Sequence, residues 1–182
     1  MKLIGLTGPA RSGKDTTARI IYNTVFGKDY DPVCNHIIYL SFAAPIKAAI
    51  EVMCGCGYVE GPEKETVIET LGVSPRRLMQ TLGTEWGRDC IGENFWVNLM
   101  EHNIKAIADD YDLGIITDAR FENEAEFIRE HGELWHVSRD TGQKVEAHSS
   151  ENGIAFKDGD KRINNNGSIE DLTREVERCL KI

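Results

Sequence analysis

The stretch GLTGPARSGKDTTARI at 5–20 sets Gly8, Gly13 and Lys14 at the spacing G-x-x-x-x-G-K. Glycines at those two places let the backbone turn tightly, so that successive N–H groups and the start of a helix can face one anion. A lysine directly after them can reach the outer phosphates of a nucleotide. Gly8, Arg11, Ser12, Gly13, Lys14, Thr16 and Thr17 are therefore candidates for holding the phosphates of a nucleotide. Where the motif ordinarily continues with Ser or Thr, this chain has Asp15. A carboxylate beside a triphosphate is repelled unless a cation stands between them. Asp15 is thus a candidate ligand of Mg2+ or of a magnesium-bound water, with Thr16 and Thr17 as hydroxyl alternatives. An acid in the first turn of a helix is also favourable through the helix dipole alone, and both readings stand.

A second set of charges lies at the end of LGIITDAR (113–120). An apolar run that stops at Asp118 and Arg120 reads as a buried strand delivering a carboxylate and a guanidinium to one edge of a sheet. The planar fork of arginine can hold a phosphate through two hydrogen bonds, which makes Arg120 a candidate for gripping a bound phosphate. Asp118 could orient that arginine, bind a magnesium water or contact a sugar; a purely structural Asp–Arg pair is the alternative. Arg139 stands at the base of a polar, Gly-, Ser- and Asp-rich stretch, 139–162, which reads either as a lid over the phosphates or as a solvated loop.

The elements that must carry these residues alternate between strand and helix. KLIGLT (2–7), HIIYLSF (36–42), LGIITDAR (113–120), ELWHVS (133–138) and KRIN (161–164) read as strands. Helices are expected over 14–26, 44–53, 93–109 and FENEAEFIREHG, from Ser74 and Pro75 as cap and first residue, and again from Ser168. The spacing implies an α/β fold with about five mostly parallel strands and helices on both faces. Ligands of such sheets bind at the carboxyl ends of the strands, here just after Thr7, Ser41, Thr117 and Ser138.

With 182 residues, the chain reads as one domain. Its net charge of −9 argues against a nucleic-acid partner, which relies on a basic face. No apolar run reaches the roughly 20 residues of a membrane span. Cys34, Cys54, Cys56, Cys90 and Cys179 form no C-x-x-C pair and no zinc spacing, and no leader precedes them, so reduced thiols in a cytoplasm are expected.

Taken together, GPARSGKDTTA, SFAAPIKAAI, RRLMQTLGTEWGRDCIGENFWV and ITDARFENEAEFI resemble the deoxynucleoside monophosphate kinase family known chiefly from bacteriophages. In that family the lysine of the phosphate loop is likewise followed by Asp-Thr. The resemblance covers most of the chain in the right order, and QTLGTEWGRD and TDARFENE are its most specific parts. It implies a nucleoside monophosphate kinase-like phosphate-loop fold. It also implies transfer of the γ-phosphoryl group of ATP, with Mg2+, to a deoxynucleoside 5′-monophosphate in the cytoplasm, that of the host if a phage encodes the chain. An acceptor-binding insertion over about 44–100 is expected within the single domain. Arg77, Gly83, Thr84, Trp96, Asp118, Arg120 and Glu124 match positions lining the acceptor pocket of that family, and Ser41 and Phe42 match its rim. Lys14, Arg77, Asp118 and Arg120 are the implied catalytic set.

Other readings face the same residues. A regulatory GTPase would share the loop, but no D-x-x-G follows the Asp118 strand and no N-K-x-D is present. A kinase of another small metabolite, such as dephospho-coenzyme A, would share Lys14 and differ in the acceptor pocket. A nucleic-acid end kinase conflicts with the acidic balance, and a pure interaction module has no use for Lys14 and Arg120 at strand ends. Base preference, sugar selectivity and a homodimer are left open by the sequence. HSSE (148–151) shows no nucleophile elbow, and INNNGS (163–168) reads as a loop beside adenine, a helix cap at Ser168 or a plain turn.

Overall fold

The computed structural model describes residues 1–26, 37–55, 57–140 and 153–181. Cys34, Cys56 and, within the expected lid, Lys144, His148, Ser149 and Glu151 lie outside the described residues. In chain order the elements are β1 (Lys2–Thr7), α1 (Lys14–Phe26), β2 (Ile37–Leu40), α2 (Ala44–Cys54), α3 (Pro75–Gln80), α4 (Phe95–Ile107), β3 (Leu113–Ile116), α5 (Glu122–His131), β4 (Gly132–Ser138), β5 (Lys161–Asn164) and α6 (Ile169–Leu180). The chain divides into two compact units, one formed by Met1–Ser41 with Ile104–Ile182 and one by Phe42–Asn103.

The first unit holds a five-stranded sheet of order β2-β3-β1-β4-β5 in which every pairing is parallel. Strands buried on both faces read as unbroken apolar runs, and β3, LGII, is buried at all four positions. Alternate residues of β1 point to opposite faces. Ile4 and Leu6 join the core with Ala18 and Ile21 of α1 and Leu172 and Val176 of α6. Gly5 points the other way, where a Cβ would come within 2.5 Å of Ile128 on α5. Helices therefore cover both faces, with α1 and α6 opposite α5. The adjacent strands β1 and β3 lead to α1 and α5 on opposite faces, which opens a crevice at their carboxyl ends.

Two strands are shorter than the apolar runs suggest. β2 stops at Leu40 and β3 at Ile116, and residues 117–120 run without regular structure to α5. In the second unit, residues 81–91 carry no expected element. The structure shows a π-helical stretch there, Thr81–Ile91, closed by a hydrogen bond from the Gly92 N–H to the Gly87 carbonyl. Ser74 caps α3 as expected, its hydroxyl accepting from the Arg77 N–H, and Ser168 caps α6 by accepting from the Asp171 N–H.

Among the described residues no helix is long and apolar enough to cross a membrane. Cys54, Cys90 and Cys179 are free thiols, and burial pushes the Cys179 thiol above its ordinary range.

One ionic cluster fixes the stretch before β5. The Arg129 guanidinium of α5 grips Asp160 through Nε and a terminal nitrogen, both at 2.9 Å, and also donates to Glu122 and the Ala155 carbonyl. The Nε2–H of His136 and the Lys157 N–H donate to the same Asp160 carboxylate, whose side chain is only 2% exposed. Burial alone would raise this carboxyl. The hydrogen bonds from Arg129, Lys157 and His136 outweigh it and hold the group at about 2, below its ordinary 3.8. A carboxyl depressed by folding adds stability that is complete above its unfolded value and is lost as pH falls, here between about 4 and about 2. Asp160→Asn should lower unfolding free energy at pH 7 by about 2 kcal/mol and flatten the loss of stability across that acid window, as measured by denaturant unfolding at a series of pH values.

Candidate phosphate site

The loop joining β1 to α1 takes its path from its surroundings. Gly8 has φ +142, and a Cβ there would lie 2.1 Å from the Val137 carbonyl of β4. Gly13 has φ +97, and a Cβ there would meet the Asn165 side-chain amide at 2.2 Å. Both glycines are thus required by packing as well as by the turn. Arg11, at φ 62, adopts a left-handed conformation that is unusual for a residue with a side chain. The Ser12 N–H donates to the Pro9 carbonyl at 3.2 Å, and the Thr17 N–H and hydroxyl both donate to the Gly13 carbonyl.

Lys14 lies along this loop, its Nζ donating to the carbonyls of Gly8 (2.8 Å) and Pro9 (2.9 Å). Ser12 is 1% exposed, and its hydroxyl is a buried polar atom without a hydrogen-bond partner among the described residues. A buried hydroxyl costs free energy unless something satisfies it. An anion cupped by the loop would do so, and the orphan hydroxyl, the positive end of α1 and Lys14 together fit a phosphate chain. Asp15 is exposed in the first turn of α1, with Thr16 half-buried beside it and Thr17 buried, its hydroxyl already committed to Gly13. Among the described residues no three His, Cys, Asp or Glu side chains gather into a metal cage. That donor set suits a magnesium ion that takes one carboxylate and fills its remaining positions with phosphate oxygens and water.

Across the crevice, the Ser41 hydroxyl after β2 donates to Asp118 Oδ2 at 2.7 Å, tying together the ends of neighbouring strands. Arg120 follows with an exposed guanidinium that makes no ion pair with any described residue, while its backbone is held firmly. Glu124, placed by resemblance in the acceptor pocket, is 3% exposed. Its Oε2 accepts from the N–H groups of both Arg120 (2.8 Å) and Phe121 (3.2 Å). The third residue of α5 therefore caps its own helix and sets the backbone from which Arg120 projects. Arg139 is exposed directly after β4.

The structure thus brings the loop residues 8–17, Ser41, Asp118, Arg120, Glu124 and Arg139 to the carboxyl ends of β1 to β4 in the first unit. Phe42, Arg77, Gly83, Thr84 and Trp96 belong to the second. There the Arg77 guanidinium is ion-paired with Glu85 at 2.9 Å, both well exposed. Trp96 is 5% exposed, donates its Nε1–H to the Gly83 carbonyl at 2.7 Å and lies against Gly87, where a Cβ would approach its ring to 2.5 Å. Thr84 is exposed and Phe42 buried.

Sequence reasoning missed two contributors. Asn165 was visible only as one of three consecutive asparagines, yet its amide donates to the Ser12 carbonyl at 2.8 Å. The capping role of Glu124 was legible in principle, as an acid at the third position of a helix whose start has no Ser, Thr, Asp or Asn cap.

A parallel sheet with a lysine-bearing phosphate loop at its central strand defines the class: a phosphate-loop fold of the nucleoside monophosphate kinase type. The sequence model of the deoxynucleotide monophosphate kinase family matches residues 59–176, and the chain belongs to that family. It is 29% identical to the deoxynucleoside-5′-monophosphate kinase of Escherichia phage T5, over 72% of this chain and 73% of that protein. It is 28% identical to the deoxynucleotide monophosphate kinase of Enterobacteria phage T4, over the whole of both. The crystal structure of TT1252 from Thermus thermophilus shares the fold, with a TM-score of 0.54 at 15% identity, over 99% of this chain and 96% of that one.

Replacing Glu124 with Ala removes the acceptor for two backbone N–H groups and should cost about 1–3 kcal/mol of stability. Gly87→Ala forces its methyl into the Trp96 ring and should cost a similar amount. Thermal and denaturant unfolding of each variant check both figures.

Proposed function

We propose that this chain transfers the γ-phosphoryl group of ATP to a deoxynucleoside 5′-monophosphate, giving a deoxynucleoside diphosphate and ADP. One observation carries the reading: in a member of this family, the Lys14 loop ends β1 while Asp118 and Arg120 follow the adjacent strand β3, across the crevice made by α1 and α5. Donor and acceptor phosphates bring several negative charges together, so transfer needs fixed cations and an acceptor oxygen aligned behind the γ-phosphorus.

Each residue then has a task. Loop N–H groups, the Ser12 hydroxyl and the start of α1 bind the donor phosphates, and Lys14 exchanges the Gly8 and Pro9 carbonyls for phosphate oxygens. Arg120 holds the acceptor phosphate in a two-pronged grip, from a backbone that Glu124 keeps in place. Asp118, oriented by Ser41, contacts the acceptor sugar or a metal-bound water. The unit Phe42–Asn103 serves as the acceptor-binding insertion, and Arg77, Gly83, Thr84 and Trp96 are the residues within it that the family resemblance assigns to the acceptor. Asp15 holds Mg2+ directly or through water, and the ion when bound neutralises charge on the transferring phosphoryl group. The net charge of −9 favours a small nucleotide over a polymeric nucleic acid as acceptor.

The deciding experiment is ADP release with ATP and Mg2+ against a panel of dNMPs, NMPs and dephospho-coenzyme A. Turnover of dNMPs supports the reading; turnover of dephospho-coenzyme A alone replaces it with the metabolite-kinase alternative. Lys14→Ala should fold normally and lose about a hundredfold or more in kcat. Arg120→Lys keeps the charge without the fork. It should reduce kcat/KM for the deoxynucleotide by about one to three orders of magnitude, with ATP affinity nearly unchanged. Asp15→Ala should raise the magnesium concentration needed for activity. An unaltered magnesium titration, with only a slightly lower melting temperature, would leave it a dipole partner.

A further inference from the structure

Asn165 occupies the turn between β5 and α6, is 6% exposed, and touches the phosphate loop from a point 153 residues further along the chain. Its backbone N–H donates to the Ser138 carbonyl at the end of β4, at 2.8 Å. Its side-chain Nδ2 donates to the Ser12 carbonyl, also at 2.8 Å, and stands 2.2 Å from where a Cβ on Gly13 would be. The amide is therefore seated directly against the loop backbone, anchored from the sheet behind it.

Fixing a peptide carbonyl fixes its N–H as well. The peptide unit is planar and trans, so the Gly13 N–H must point opposite to the Ser12 carbonyl, away from Asn165. The next carbonyl, of Gly13, is taken by the N–H and hydroxyl of Thr17. Both carbonyls flanking Gly13 are thus engaged on the protein side. A loop whose carbonyls are free to swing can present oxygen to an anion, and this one is denied that option at the two successive peptides that lead into Lys14.

We propose that Asn165 is a positioning residue for the donor phosphates: its amide holds the Ser12–Gly13 peptide with the carbonyl turned back, so that the Gly13 N–H stays presented to a phosphate oxygen. This rests on the reading of the loop as the ATP site. What matters is the donor N–H, and not merely a side chain of the right shape. The preorganisation acts on the donor nucleotide alone, which separates it from a general contribution to folding.

Asn165→Asp tests it, since the shape is kept while a carboxylate replaces the donor. By titration calorimetry at pH 8, the Kd for MgATP should rise by about tenfold or more while the Kd for dTMP or dGMP stays within about twofold of wild type. As pH is lowered toward 5, burial favours protonation of the new carboxyl, which becomes a donor again, and tight MgATP binding should return in the variant while wild type shows no such gain. Should Asn165→Asp fail to fold, Asn165→Ala must show the same split between the two nucleotides. MgATP binding at wild-type strength in either variant at pH 8 overturns the proposal. So does a joint weakening of both nucleotides that tracks a falling melting temperature, or a loss in Asn165→Asp that acid does not restore. Wild-type protein that does not bind MgATP would remove the donor reading itself, an outcome recorded before any variant is made.

Discussion

The approach of Gly8 to β4 is the constraint on which the site depends. At the tip of β1 there is no room for even one methyl group, because the Val137 carbonyl occupies the place a Cβ would take. The chain must leave the sheet at that point through a left-handed residue, and it reaches α1 only after Arg11 and Gly13 have taken the same uncommon hand. The groups that would meet the donor phosphates descend from this exit: the turned loop, the Ser12 hydroxyl that has no partner among the described residues, and the start of α1 with Lys14 at its head. Packing of the sheet and binding of an anion make one demand on the backbone here, and glycine answers both.

The other side of the crevice is organised by a carboxylate and not by a glycine. Glu124 is almost wholly buried and spends its oxygen on the backbone where β3 gives way to α5. Arg120 is left with a restrained main chain and a long, exposed side chain that makes no ion pair among the described residues, an arrangement that combines precise placement with reach. Arg129, five residues further along the same helix, gathers Asp160 and the Ala155 carbonyl. In this way α5 fixes both the strand end before it and the polypeptide that enters β5.

Much of this was legible in the sequence because its signals are local. Apolar runs such as LGII and KLIGLT announce buried strands, the glycines and lysine of 8–14 announce the loop, and Ser74-Pro75 and Ser168 announce helix starts, all from residues near one another in the chain. What escaped depends on partners far apart. Nothing in three consecutive asparagines says that the middle one will meet Ser12, 153 positions earlier. Nothing in KDGDKR singles out Asp160 from Asp158 as the residue that Arg129 grips. The π-helical stretch was hidden for a different reason: Gly83 and Gly87 weaken any helical signal, and the contacts that support it come from outside the stretch, as when the Trp96 ring lies against Gly87 and its Nε1–H donates to the Gly83 carbonyl.

That stretch constrains how the sequence can drift over generations. A backbone closed by bonds such as that from Gly92 to Gly87 carries more residues per turn than an α-helix, and it can be regarded as an insertion that the helix has absorbed rather than expelled as a loop. Each residue turns an α-helix by about 100°. A single deletion between Thr81 and Ile91 would therefore swing the side chains beyond it around the axis, taking the Gly83 carbonyl from the Trp96 indole and the Gly87 face from its ring. Substitutions can be absorbed at exposed points such as Asp89 or Cys90. The number of residues cannot change so freely, so descendants of this chain should hold the length of TLGTEWGRDCI together with the glycines that Trp96 packs against and bonds.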